Sequence, residues 1–278
     1  MLTHYRRAFE QCQPYVLTTQ QVAPLLEWEP LGIDIRGQGF VLDPQARSNE
    51  KFVRLLRNLD QMSFGTLGMA MPQWVFYDCG VMPSAIFGFA GPAGSLEPWV
   101  RRALQVDDDE DQPVPLSSFI AIPMPEKGAW FTHTLCSLTQ VCAGAAPEGL
   151  ASLSLALGLR MLKVETLYGT IQWRSDRMSR FTSLGPLEVI TAYTPAHSMK
   201  RTLTWRLPIR RNQVEAALSN PGVSPAAPPA THMLDVDDVD ALLAMQEELE
   251  AGIRYSIVGP PVRRGSIVQI PLCRQVNP

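Results

Sequence analysis

Residues 129–173 read AWFTHTLCSLTQVCAGAAPEGLASLSLALGLRMLKVETLYGTIQW, and the rest of the architecture builds on this stretch. Trp130 to Leu138 alternates bulky apolar residues with small or polar ones, the pattern of a half-buried strand. Gln140 to Gly149 then offers Gly, Ala and Pro, with no bulky side chain after Val141. From Leu150 to Val164 one stripe carries Leu150, Leu153, Leu157, Met161 and Val164, and a second carries Leu155, Leu159 and Leu162. A helix apolar on most of its circumference is a buried helix. Tyr168 to Trp173 reads as the next strand, and the long connection makes the two strands parallel or splayed neighbours.

The loop between strand and helix has a chemical reading. The first amides of a helix lack intrahelical partners, and the helix dipole leaves partial positive charge there. Small residues over Val141 to Pro147 allow a phosphate to approach those amides closely. Pro147 suits a first helical turn, where its missing N–H costs nothing. A plain turn ahead of a core helix fits the same residues, since glycine-rich loops are weak signals alone.

Working outward, Asn49 to Met62 reads as a helix with Phe52, Leu55, Leu56 and Leu59 on one face. Tyr15-Val16-Leu17, Leu31 to Ile35, Trp74 to Asp78, Ala85 to Ala90 and Leu116 to Ile122 read as strands, the third and fourth joined as a hairpin. Leu96 to Leu104 is a short helix. Asp107 to Asp111 is a run of carboxylates, the composition of a solvated loop. Beyond Trp173 come a short helix over Arg174 to Leu184, ended by Gly185-Pro186, and strands over Leu187 to Tyr193 and Thr202 to Leu207. The class is α/β (α+β), with one mixed, mostly antiparallel sheet of about six or seven strands and helices on both faces.

The expected organisation is a main domain over 1–215 with an N-terminal extension, a Pro/Ala/Ser/Gly linker over 216–230, and an appendage over 231–278. The appendage holds a helix from Asp235 to Arg254 and a terminal hairpin around Gly259-Pro260-Pro261. It serves either as a docked piece or as an arm for a partner, including a second copy in a homo-oligomer.

Bulk properties exclude several classes. The chain has 278 residues, 46% of them hydrophobic, with a formal net charge of −3. That is ordinary globular composition, and it gives no reason to expect a nucleic-acid partner. No apolar run reaches the ~20 residues of a membrane span, and no leader pattern stands after Arg6-Arg7. Cys12, Cys79, Cys136, Cys142 and Cys273 are scattered without a CxxC pair, which suits reduced thiols in the cytoplasm and no metal site.

In element order and two local patterns, residues 50–207 resemble the GNAT superfamily of N-acyltransferases. The strands before the loop are similar to that family's second to fourth strands, and the loop stands where the family binds coenzyme A. Gly144 and Ala146 match the last two places of the family's loop pattern, while Val141 stands where it has Arg or Gln, and Gln140 is one residue early. The resemblance implies a bulge after about His133, splayed strands, and an acetyl-CoA or other acyl-CoA between them as co-substrate. Leu138, Gln140, Val141, Gly144, Ala145 and Ala146 are the implied cofactor-binding residues.

An amine attacking a thioester needs a proton acceptor, and the leaving thiolate needs a donor. His133 on the lining strand and His197 at a strand end are the candidate bases. Tyr168 is the candidate acid; Phe181 stands where many members have a tyrosine for that task. The resulting expectation is an acyl-CoA-dependent N-acyltransferase acting on a small-molecule or protein amine. The alternative is a GNAT-like ligand-binding or interaction module without transfer chemistry.

Overall fold

A computed structural model describes residues 5–81, 85–107, 111–193, 201–219 and 227–275. The chain divides into two units, Met1–Val164 and Glu165–Pro278, and each is described by itself.

In the first unit the strands are β1 (Gln13–Leu17), β2 (Phe40–Leu42), β3 (Ala85–Pro92), β4 (Pro113–Pro115), β5 (Ser117–Pro123) and β6 (Ala129–Ser137). Their order is β6-β5-β3-β1-β2, with β4 beside the end of β3. Strands β1 and β2 run parallel; the other pairs are antiparallel. The helices are α1 (Arg6–Gln11), α2 (Ile35–Gln38), α3 (Glu50–Phe64), α4 (Gln73–Val81), α5 (Pro98–Leu104) and α6 (Leu150–Met161).

Alternation along the strands sorts the helices onto two faces. Phe52, Val53 and Leu56 of α3 and Val75, Phe76 and Cys79 of α4 share a core with Tyr15, Leu17, Ile86 and Ile120. The opposite face takes α6. Its Gly158 sits so close over Phe119 and Phe87 that a Cβ there would come within 2.3 Å of the Phe119 ring. Leu150, Leu153, Leu155, Leu157 and Leu159 are all buried, each worth about 1.5–3 kcal/mol against exposure. A twelve-residue helix is marginal alone, so this packing is what holds it. Ser154 fixes its seat: the hydroxyl donates to the Leu150 carbonyl at 2.8 Å and bonds Ser117 Oγ at 2.8 Å.

Two expected strands are not strands. Trp74 to Asp78 lies inside α4. Val75, Phe76 and Cys79 are buried while Trp74 is 63% exposed, a helical spacing that the run of β-forming residues concealed. Over Leu31 to Ile35 the chain makes a tight turn with Leu31 at φ 59°, then one helical turn capped by Asp34. The strand of this region is β2, and β1, far ahead of residue 50, completes the pairing with β3.

The second unit has β7 (Thr166–Gln172), β8 (Leu187–Thr191), β9 (Thr202–Pro208), β10 (His232–Asp235), β11 (Arg254–Ile257), β12 (Val262–Arg264) and β13 (Ile267–Gln275). Their order is β10-β13-β11-β8-β9-β7, with β12 along β13. Helices α7 (Met178–Thr182), α8 (Arg211–Ser219) and α9 (Val239–Glu250) accompany them. The chain thus has more strands than the six or seven expected. Trp205 is fully buried, with Gly169 leaving room for its indole and the Phe181 ring tilted against it at 4.7 Å.

The C-terminal segment joins this sheet through β11, where Ser256 and Ile257 pair with Glu188 and Leu187 of β8. The terminal hairpin is larger than expected, since β13 pairs with β10, β11 and β12. Of the linker, 216–219 belong to α8 and 220–226 lie outside the described residues. Among the described residues no helix is long and apolar enough to cross a membrane.

Candidate functional site

Strand β6 is interrupted where His133 stands. Ile120 pairs with Thr134 and Ala121 with Thr132, so His133 is an extra residue with no partner on β5. A bulge of this kind bends the strand and re-aims the side chain. His133 is exposed, whereas Thr132 and Thr134 beside it are buried. Desolvation by the surrounding protein holds the His133 pKa below its ordinary value. Thr132 Oγ1 is buried without a hydrogen-bond partner among the described residues.

Past β6 the chain makes one tight turn over Leu138–Gln140. The Leu138 side chain is fully buried, and its carbonyl takes the amides of Val141 at 3.0 Å and Cys142 at 2.8 Å. Gln140 is half-buried and Val141 is exposed. Ala145 N closes a further turn onto Cys142 O at 3.1 Å, and half-buried Ala146 comes directly after it. Gly144, between Cys142 and Ala145, has φ +79° and open space on its Cβ side. Only glycine takes that backbone region freely.

Helix α6 begins later than the proline suggested. Its N-cap is Gly149 at φ 82°, with no side-chain cap, so Pro147 precedes the helix. The opening amides have no capping side chain, and the dipole makes that end attractive to anions. Glu148 is exposed, and between Lys127 and Arg160 there is no Lys or Arg. The stretch therefore offers an anion no cationic side chain of its own.

Tyr5 is a neighbour that sequence inspection missed. It is buried, its ring lies against Gly149 and its phenol hydrogen-bonds Ser152, with burial raising its pKa. No local pattern announces a contact over such a separation.

The remaining expected residues belong to other parts of the sequence. Tyr168 is on β7 of the second unit, opposite Arg206. Arg206 donates to Glu188 at 3.1 Å and also bonds Tyr168, which together raise its pKa, Glu188 most strongly. His197 lies outside the described residues. Phe181 is a core residue against Trp205. None of the five cysteines is in a disulfide, and all are buried; burial pushes Cys12 up to about 12, Cys79 up to about 11, and raises Cys142. Such thiols are poor nucleophiles. Among the described residues no group of three or more His, Cys, Asp or Glu is placed to hold a metal.

No protein-family model matches the sequence, and no curated protein matches it. The fold is similar, over part of the chain, to solved acetyltransferases. The ribosomal-protein-S18-alanine N-acetyltransferase from Escherichia coli is 13% identical with a TM-score of 0.38, covering 56% of this chain and 87% of its own. The NatC complex bound to Gag peptide and CoA matches at 9% identity and 0.40, covering 60% and 97%. A GNAT-family acetyltransferase from Bacillus anthracis matches at 8% and 0.34, covering 57% and 87%.

Proposed function

We propose that the chain is an acyl-CoA-dependent N-acyltransferase acting on a small-molecule or protein amine. The observation that carries this is a run of three backbone features in one stretch: the bulge at His133, the glycine turn at Gly144 and the uncapped helix start at Gly149. The residues fit the proposed ligand. Phosphates need unhindered donors, and Gly144 leaves open space beside the loop. When bound, acyl-CoA supplies a thioester whose carbonyl the amine attacks, with the thiol leaving.

The chain's own residues then have separable tasks. In the loop from Leu138 to Ala146 the phosphates are held through main-chain donors around Gln140, Gly144 and Ala146, while the amides of Leu138, Val141 and Ala145, already given to Leu116, Leu138 and Cys142, set the turns that present them. His133 takes the proton from the acceptor ammonium. Its lowered pKa keeps the imidazole neutral at pH 7, so the lone pair is available. Tyr168, whose phenol is hydrogen-bonded to Arg206, is assigned to proton delivery, and His197 is the second candidate base.

Calorimetric titration with acetyl-CoA and longer acyl-CoAs, and then thiol release in the presence of a panel of amines, tests this assignment. Micromolar binding and amine-dependent release support transfer. No affinity at millimolar concentration ends the proposal, and binding without release to any amine points to a ligand-binding module.

A further inference from the structure

The outer face of α3 carries one sign of charge. Lys51, Arg54 and Arg57 follow at steps of three residues, which makes them one row about 9 Å long. Like charges so spaced on a helix repel. Against them α3 has only Glu50, at its first position, and Asp60, which is buried. Helix α5 is tied alongside by Asn58, whose Nδ2 donates to Leu104 O at 2.6 Å. It adds Arg101 and Arg102 and no acid. Arg57 and Arg102 are exposed, and among the described residues neither enters an ion pair.

One carboxylate of the chain is already seated on this face. Asp107 opens the run of acidic residues over 107–111, of which 108–110 lie outside the described residues. Lys51 Nζ reaches Asp107 Oδ2 at 2.9 Å, and Arg54 Nη2 stands 3.6 Å from Oδ1. Arg101 Nη2 donates to the Asp107 carbonyl at 3.4 Å. The hydrogen bond from Lys51 holds the Asp107 pKa below its ordinary value. The Asp107 side chain is nevertheless 54% exposed. An exposed pair of this kind is weak, so a competing carboxylate can replace it.

We infer that the α3–α5 face is a docking surface for an acidic peptide segment of a partner protein, which displaces Asp107 and extends along the row to Arg57. An extended chain advances about 3.4 Å per residue, so three or four successive Asp or Glu residues cover that row. Charge complementarity selects an anionic partner, and the seated group is a carboxylate. A polyphosphate fits less well, because the formal net charge of −3 repels it at long range. This surface is separate from the loop at Gly144 and does not depend on the acyltransferase proposal.

Fluorescence anisotropy of a labelled poly-glutamate peptide with the full chain tests it, with an oligothymidylate of equal length as the rival polyanion. The peptide is expected to bind at low salt and to weaken as salt rises. Arg54→Gln combined with Arg57→Gln keeps helix propensity and should lower the affinity about tenfold. Asp107→Asn vacates the seat and should raise it about threefold. Arg211→Gln on α8, at an exposed position, is the control and should leave it unchanged. No peptide binding at millimolar concentration overturns the inference, as does a double variant that binds like wild type. So does Asp107→Asn without a gain, an equal loss in Arg211→Gln, or an oligonucleotide that binds more tightly than the peptide.

Discussion

The loop from Leu138 to Gly149 and the C-terminal segment from His232 to Gln275 are built on opposite plans. The loop withholds side chains: its turns are closed by main-chain bonds, and α6 starts without a side-chain cap. The C-terminal segment is dense with charged contacts. Asp237 accepts from Arg174 at 2.9 Å and from Arg201. Arg263 reaches Asp176 at 2.9 Å and the Arg174 carbonyl at 3.1 Å. Glu248 takes Arg274 at 2.9 Å and the Tyr255 phenol, and Gln246 Oε1 accepts Ala192 N at 2.9 Å.

On the acyltransferase proposal, the loop keeps the space beside Gly144 clear for a ligand. A segment added to a sheet must be held in place. Exposed ion pairs are individually weak, so the hold comes mainly from burial of Ile257, Val268, Ile270 and Leu272, all fully buried. The charges add register.

The largest effect should come from removing the C-terminal segment. Deleting residues 220–278 strips β8 of its partner β11 and uncovers Leu187 and Val189. The truncated protein is expected to lose its cooperative melt or precipitate; an unchanged melting temperature would show that the segment is dispensable.

Next in size is His133→Ala. As the proposed base, its loss should lower turnover by about 10²–10⁴-fold while acyl-CoA affinity stays. In wild type, the acid limb of kcat/KM should fall below the ordinary histidine value of ~6.5, because desolvation favours the neutral ring. A variant with full turnover refutes the assignment.

Gly144→Glu sharpens the plan of the loop. The new carboxylate faces the phosphates, so CoA affinity should drop by about 100-fold, roughly 2.7 kcal/mol. Positive φ adds about 1 kcal/mol of strain, or about 2–4 °C in Tm. Gly144→Ala carries the strain without the charge and should keep most of the affinity. Binding that survives Gly144→Glu places the ligand elsewhere.

The smallest effect is at Asp237. The hydrogen bond and charge of Arg174, with Arg201, hold its pKa below the usual carboxylate value. A folded pKa below the unfolded one stabilises above ~3.9, and that stability is lost as pH falls through the folded value. Asp237→Asn should lower Tm slightly at pH 7 and low salt. The difference should vanish in high salt and near pH 2; a Tm loss that ignores both would mean that charge is not the reason.

Some of this was legible locally. Leucines at two helical spacings identified α6, and small residues after Val141 marked the turn, because burial pattern and backbone freedom are written in neighbouring residues. Trp74 to Asp78 misled for the same reason. A short run rich in β-forming and aromatic residues carries no record of which side meets a core, and only packing against α3 selected the helix.

The sequence alone therefore determined the buried helix, the glycine that its turn needs, and the strands β5 and β6. Tertiary structure decided which residue of β6 stands out as the bulge, that Tyr5 covers Gly149, and that the C-terminal strands extend a sheet. Those outcomes depend on hydrogen-bond register and contacts between residues far apart in the chain. A local pattern can allow such pairings, but only the fold selects among them.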